Sequence, residues 1–160
     1  MFKKLHKTKQ SFYFCIFTLL STSVLAENEK EGWYVSKSGF HMVQESNHGQ
    51  LYAKIDLSKA GKVSVYFQLF DDSCKGKDLT IMTHDPIYIG GVLVKINHYC
   101  DGDSRYFMPV TDAGREHLIN EFKFKKSVEV KMYDASKTFL FATKGFSEAF
   151  AKMSITSSAI

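Results

Sequence analysis

"INHYCDGDSRYF", residues 96–107, places a histidine, a cysteine, two aspartates and an arginine within twelve positions. The stretch is a metal site, a catalytic loop, or a β-hairpin with a polar tip, and the choice decides the fold. A calcium loop needs oxygen ligands at successive odd positions and glycine at the sixth. Asp101 and Asp103 fit the first two, but Arg105 and Tyr106 stand where the next ligand and the glycine belong. Asp101-Gly102 has instead the composition of a bend, since both residue types accept left-handed backbone angles. "RYFM" (105–108) then returns antiparallel and brings Tyr106 beside Tyr99. The stretch is a hairpin.

Working upstream, "VLVKINHYC" (92–100) alternates with period two. Val92, Val94, Ile96, His98 and Cys100 share one face, and Leu93, Lys95, Asn97 and Tyr99 the other. His98 therefore lies on the apolar side beside a cysteine, as a hydrogen-bonded core histidine. Gly90-Gly91 separates this strand from "IYI" (87–89) and suits the positive φ of a tight turn. Earlier, "LYAKIDL" (51–57) and "VSVYFQLF" (63–70) pair across "SKAGK". In one register Leu57, Ile55, Ala53 and Leu51 meet Val63, Val65, Phe67 and Leu69, and the polar residues meet one another on the opposite face. A slip of one residue would scramble both faces.

After Pro109 the period changes. "TDAGREHLINEF" (111–122) reads as a helix capped by Thr111 or Asp112, with Leu118, Ile119 and Phe122 as its apolar stripe. His117 and Glu121, four apart on its flank, are expected as an exposed local pair. "VEVKMY" (128–133) and "TFLFAT" (138–143) are strands, and "FSEAFAKM" (146–153) is a short helix capped by Ser147. The expected class is α+β: a mostly antiparallel sheet built of hairpins, sandwich-like or curved, with two short helices and one disulfide.

The chain opens with Lys3, Lys4, Lys7 and Lys9, an apolar run "SFYFCIFTLL" (11–20) and the small-residue end "VLA" (24–26). This is the pattern of a signal peptide cleaved after Ala26, and its apolar run is too short to span a bilayer. The expected organisation is a signal peptide at 1–26, one β-rich domain at 27–153 and a flexible tail at 154–160, with no membrane span once the signal is removed. Localisation is then periplasmic or extracellular. Taking the four signal lysines from 21 Lys+Arg leaves 17 against 17 Asp+Glu, a net charge of zero. Nucleic acid loses its electrostatic attraction for such a chain.

Cys74 and Cys100 are the cysteines left after maturation, and in an oxidising compartment an isolated pair forms a disulfide. Closing that loop stabilises the fold by about 3–4 kcal/mol in the chain-entropy account.

Catalytic patterns are absent from the sequence. There is neither the glycine-flanked serine elbow nor the H-E-x-x-H of zinc proteases. His84-Asp85, before Pro86, is an adjacent pair whose side chains diverge on an extended chain, and a turn into Pro86 accounts for it. Asp71, Asp72 and Asp78 form a solvated acidic loop. No metal or cofactor is expected. Tyr52, Tyr66, Tyr99 and Tyr106 fall on faces assigned outward, and tyrosines bury large area at little entropic cost in recognition surfaces. The alternative for them is a second buried layer.

"GWYV" (32–35), the Cys74/Cys100 pair and the closing "FATKGFSEAF" (141–150) together resemble the invasion-associated locus B type of exported bacterial protein, at the two ends of the domain. The resemblance implies a periplasmic or secreted β-rich accessory protein and supplies no site residues. The expectation is a non-enzymatic exported protein that binds a protein or peptide, of immunity, inhibitor or host-interaction type. Tyr99, Asp101, Asp103, Arg105 and Tyr106 are its candidate surface. Two alternatives stand beside it: a small envelope hydrolase using His84 or His98 with a nearby aspartate, and a structural component of the envelope.

Overall fold

A computed structural model describes residues 31–158. The expected signal peptide and its cleavage point lie outside the described residues, as do 159–160. Along the chain come β1 (Tyr34–Val35), β2 (His41–Gln44), β3 (Leu51–Leu57), β4 (Val63–Phe70), a 3-10 turn (Asp72–Cys74), β5 (Met82–Ile89), β6 (Val92–Asp101), β7 (Ser104–Pro109), α1 (Asp112–Phe124), β8 (Ser127–Met132), β9 (Thr138–Ala142) and α2 (Phe146–Ser158). The strands form one antiparallel sheet in the order β1-β2-β3-β4-β7-β6-β5-β8-β9, curled into a half-barrel. This is the α+β hairpin architecture expected.

The β3–β4 register pairs Leu57 with Val63, Ile55 with Val65, Ala53 with Phe67 and Leu51 with Leu69, as the alternation demands. Gly90 and Gly91, at φ 56° and 84°, make the two-residue turn between β5 and β6. At the far tip Asp101 pairs with Ser104, so the bend centres on Gly102-Asp103, one residue later than expected. Besides the passage from β7 through α1 to β8, the crossing from β4 to β5 departs from simple hairpins among the described strands. It is tied down by the Cys74–Cys100 disulfide and by Asp71 N–H donating to the Asp103 carbonyl at 2.8 Å.

The curled sheet meets itself along a seam. Ser46 N–H donates to the Leu140 carbonyl at 2.8 Å, and the Asn47 side chain brackets β9 through the Leu140 N–H and the Thr138 carbonyl. Glu45 holds this loop from inside. Its carboxylate is fully buried and accepts from the backbone N–H groups of Asn47, His48 and Gln50. Burial alone would raise its pKa, but the three donors more than offset that and the pKa lies below the usual value.

Both helices place their buried residues on one side of the sheet. Leu118, Ile119 and Phe122 of α1 and Phe146 and Ala149 of α2 join Ile55, Val65, Phe67, Ile89 and Ile96 in one core. Phe122 and Phe146 stack in it and half-buried Trp33 packs against both, with ring centroids 5.0–5.2 Å apart. The Thr111 hydroxyl accepts from Gly114 N–H and caps α1. A side chain at Gly114 would meet Val94 Cγ1 at 2.9 Å, so glycine lets α1 sit this close to β6.

Four local expectations change. His117 and Glu121 are half-buried and do not form an exposed pair: His117 Nε2 donates to the Ile89 carbonyl at 2.8 Å, and the Glu121 carboxylate packs on Gly90. They dock α1 onto the β5–β6 turn, a tertiary contact that helical spacing does not reveal. His84-Asp85 lies within β5 and not in a turn, because a bulge between His84 and Ile87 accommodates Pro86. Ser147 sits inside the first turn of α2 and does not cap it. The expected tail at 154–160 is helical through Ser158, continuing α2 with Ser154 Oγ donating to the Phe150 carbonyl.

Candidate functional site: the two faces of the β6–β7 hairpin

The candidate residues converge on the β6–β7 hairpin, but alternation divides them between its faces. Tyr99 lies opposite Tyr106, and Asp101 opposite Ser104, on the face away from the helices. Cys100 lies opposite Arg105 on the other face, together with His98. Arg105 therefore does not belong to a surface with Tyr99 and Tyr106. The pairing of Tyr106 with Tyr99 already implies this, since neighbouring strand residues point to opposite sides.

On the core-facing side, Arg105 organises a polar chain. Its Nε and Nη2 donate to Asp71 Oδ2 at 2.8 and 2.7 Å, and its Nη1 reaches His98 Nδ1 at 3.0 Å. Guanidinium only donates, so His98 Nδ1 carries the lone pair and the ring proton sits on Nε2. His98 is buried and its pKa is lowered, by desolvation first and then by Arg105, His84 and Lys77. Asp71 is held down at about 2 by hydrogen bonds from Ser73 and Arg105. The His84 ring packs edge-on against His98 and Phe107, with centroids 5.6 and 5.1 Å away, while its Nδ1 contacts the Asp85 carbonyl at 2.7 Å.

This arrangement disfavours His98 as a general base. A general-base histidine is oriented by a carboxylate that accepts its Nδ1 proton and stabilises the imidazolium. Here a cation occupies that position and disfavours the imidazolium. Asp101 lies on the opposite face and Asp103 in the bend, so neither joins His98 or His84. Among the described residues no cluster of three or more His, Cys, Asp or Glu side chains is placed to hold a metal ion.

The outer face carries the candidate tyrosines. Tyr99 and Tyr106 stack with centroids 5.2 Å apart and planes 15° apart. Lys54 is 6% exposed, ion-paired to Asp56 at 2.7 Å, with its ammonium 3.5 Å from the Phe40 ring centre and 5.5 Å from that of Tyr106. Gln68 donates to Ser104 Oγ at 3.1 Å, and Gln44 to the Tyr52 hydroxyl at 2.9 Å. Burial pushes Tyr99 up to about 12, helped by Tyr66, Tyr106 and the nearby acids. Tyr66 is buried, and Tyr52, Tyr99 and Tyr106 are half-buried. Next to them an open groove of about 490 Å³ runs between Phe40, Tyr52, Lys54, Phe70, Asp101 and Tyr106. Phe70 stands 61% exposed at its edge, edge-on to Tyr52.

Sequence reasoning finds the tyrosines and sets Lys54 opposite Tyr66, but misses Phe40 and Phe70 as their companions. The available signal is the β3–β4 register, which sets Lys54 opposite Tyr66 and leaves Phe70 on the tyrosine side of β4. No protein-family model matches this chain, and no curated protein or solved structure matches it either.

Proposed function

We propose that the protein is exported and works without catalysis, by binding a protein or peptide partner through the outer face of β3, β4, β7 and β6. The observation that carries this reading is Phe70, a large apolar side chain left in solvent at the edge of a tyrosine-lined groove. Aromatic anchors with polar groups around them are the usual make-up of recognition surfaces. Asp101 and Asp103 both line the groove and supply a polar rim on the side of the hairpin tip. The inverted polarity at His98 supports a non-enzymatic role. The disulfide suits an oxidising compartment, and among the described residues no helix is long and apolar enough to cross a membrane. Within the class, a protein that blocks an envelope-directed toxin or hydrolase fits a small surface-recognition domain.

Quantitative co-purification from envelope extract tests the reading. The wild type retains a defined stoichiometric partner, and Phe70→Ser and Tyr106→Ala lose it while their melting curves remain cooperative. No partner at any salt concentration, or the same partner on both variants, overturns it. A measurable hydrolytic activity lost in His84→Ala or His98→Ala would transfer the assignment to the enzymatic alternative.

A further inference from the structure

The opposite side of the sheet contains a second concavity that the partner surface does not use. It has a volume of about 290 Å³ and lies between the start of β3, the end of β4, β7 and the β8–β9 hairpin. Its walls include Leu51, Phe67, Leu69, Phe107, Met132 and Phe139. The cavity exists because the helices cover only part of the half-barrel. His117 anchors α1 at the Gly90 end of β5 and Lys62 meets Asp112 at the β3–β4 turn, whereas no helix residue lines the cavity. Protein interiors are close-packed, so an apolar hollow at the uncapped end of a core is room for something else.

Its polar lining is sparse and comes mostly from loops. Gln50, Ser136 and Lys137 come from the β2–β3 and β8–β9 connections, and His84 comes from β5. Lys137 carries the one permanent charge among the lining residues, and no acid lines the cavity. The Lys137 ammonium contacts only a neutral oxygen, Gln50 Oε1 at 3.5 Å, among the hydrogen bonds of the described residues. Asp134 in the same turn is engaged by the Ser136 N–H at 3.0 Å. An apolar chamber with a cation at its mouth complements a molecule with an apolar body and a single anionic end.

We infer that this cavity binds a medium-chain monocarboxylate, its hydrocarbon tail against Phe67, Phe107 and Met132 and its carboxylate at Lys137. Size sets the length. A cavity of about 150 Å³ accommodates benzene, so twice that volume suits about ten to twelve non-hydrogen atoms, an acid of about eight to ten carbons. This site is independent of the partner surface, since it occupies the other side of the sheet.

Isothermal titration of the purified protein with the C4 to C14 straight-chain acids tests it, alongside octanol and octylamine. Affinity rises about fourfold per added methylene and levels off beyond about ten carbons. Octanoate binds more tightly than octanol or octylamine, and Lys137→Gln removes up to about fivefold of that preference, as an exposed ion pair allows. Met132→Trp fills the chamber and abolishes binding; Leu69→Trp at the rim does the same if the first variant fails to fold. Absence of binding by every acid, octylamine binding as well as octanoate, a series with no plateau, or undiminished binding in a folded filled variant each overturns the inference. None of these outcomes affects partner retention through Phe70.

Discussion

Phe67 and Tyr66 are neighbours on β4, both nearly hidden, at 1% and 8% exposure, yet they are hidden in different ways. Phe67 faces the core, among Phe141, Ile96 and the buried side of the helices. Tyr66 faces outward, opposite Lys54 and on the same face as Ser64 and Gln68, which are also buried. One face is an apolar interior. The other buries polar and charged groups under the sheet's own side chains and satisfies them pair by pair. A polar network of that kind contributes little net stability and fixes the geometry of its members. Folding dictates the composition of the first face and does not require that of the second, which is why the second is the place to look for recognition.

The sharpest way to break this contrast is to truncate an aromatic on each face. Phe67→Ala costs about 3–5 kcal/mol in urea unfolding, because it removes a large side chain that is almost wholly buried and leaves a void in its place. Phe70→Ala changes stability by less than about 0.5 kcal/mol, as exposed substitutions do, while abolishing partner retention. If Phe70→Ala destabilised as much as Phe67→Ala, the outer face would be a second core and the binding proposal would lose its basis.

Next in size is the disulfide. Replacing Cys74 and Cys100 together by serine removes the closure of a loop with separation 26 and costs about 3 kcal/mol. Native-state hydrogen exchange locates the loss in residues 71–81 and at the core-facing side of the hairpin tip, with the Tyr99–Tyr106 stack still formed. Uniform loss of protection would mean that the two faces are not separable.

Those faces differ in how far they are legible in the sequence. The alternation in 51–70 and 92–100 dictates its own register, since every slip moves apolar side chains into solvent. The disulfide follows from an isolated cysteine pair in the expected compartment, and the Leu118, Ile119, Phe122 stripe follows from spacing. Tertiary approach does not. Nothing local in "GREHLINEF" says that His117 and Glu121 reach the Gly90 turn, or in "QESNHGQ" (44–50) that Glu45 is a buried acceptor for three backbone donors. The Asp71–Arg105–His98 chain joins residues up to 34 positions apart across a crossover whose path is set by strand order. Strand order is long-range information, and period-two patterns do not contain it.

A smaller effect sharpens the description of the outer face. The Tyr99–Tyr106 stack contributes about 0.5–1.5 kcal/mol beyond its buried area. A double-mutant cycle with Tyr99→Ala and Tyr106→Ala recovers a coupling energy in that range. A coupling near zero would show that each ring is held by other neighbours, Tyr106 by Lys54 for example.

The smallest effect separates the faces by pH alone. In the folded chain His98 has a pKa below its ordinary 6.5, because burial and the Arg105 guanidinium both disfavour the imidazolium. Between that lowered value and 6.5 the unfolded chain binds more protons than the folded one, so stability rises with pH across the window. The contribution is complete above about 6.5 and is lost as pH falls through the folded pKa. Asp71, lowered from 3.8 to about 2, adds its own loss only below about pH 4, and Tyr99, pushed up to about 12, is silent throughout. A series of urea midpoints from pH 7 to pH 5 therefore reports on His98 together with His41, whose pKa burial and Lys152 also lower. The His98→Gln comparison isolates the share of the hairpin's core-facing side. The wild-type midpoint declines over this range, and His98→Gln flattens the decline. A decline unchanged in His98→Gln would remove the histidine from the Arg105 chain as the group that senses pH.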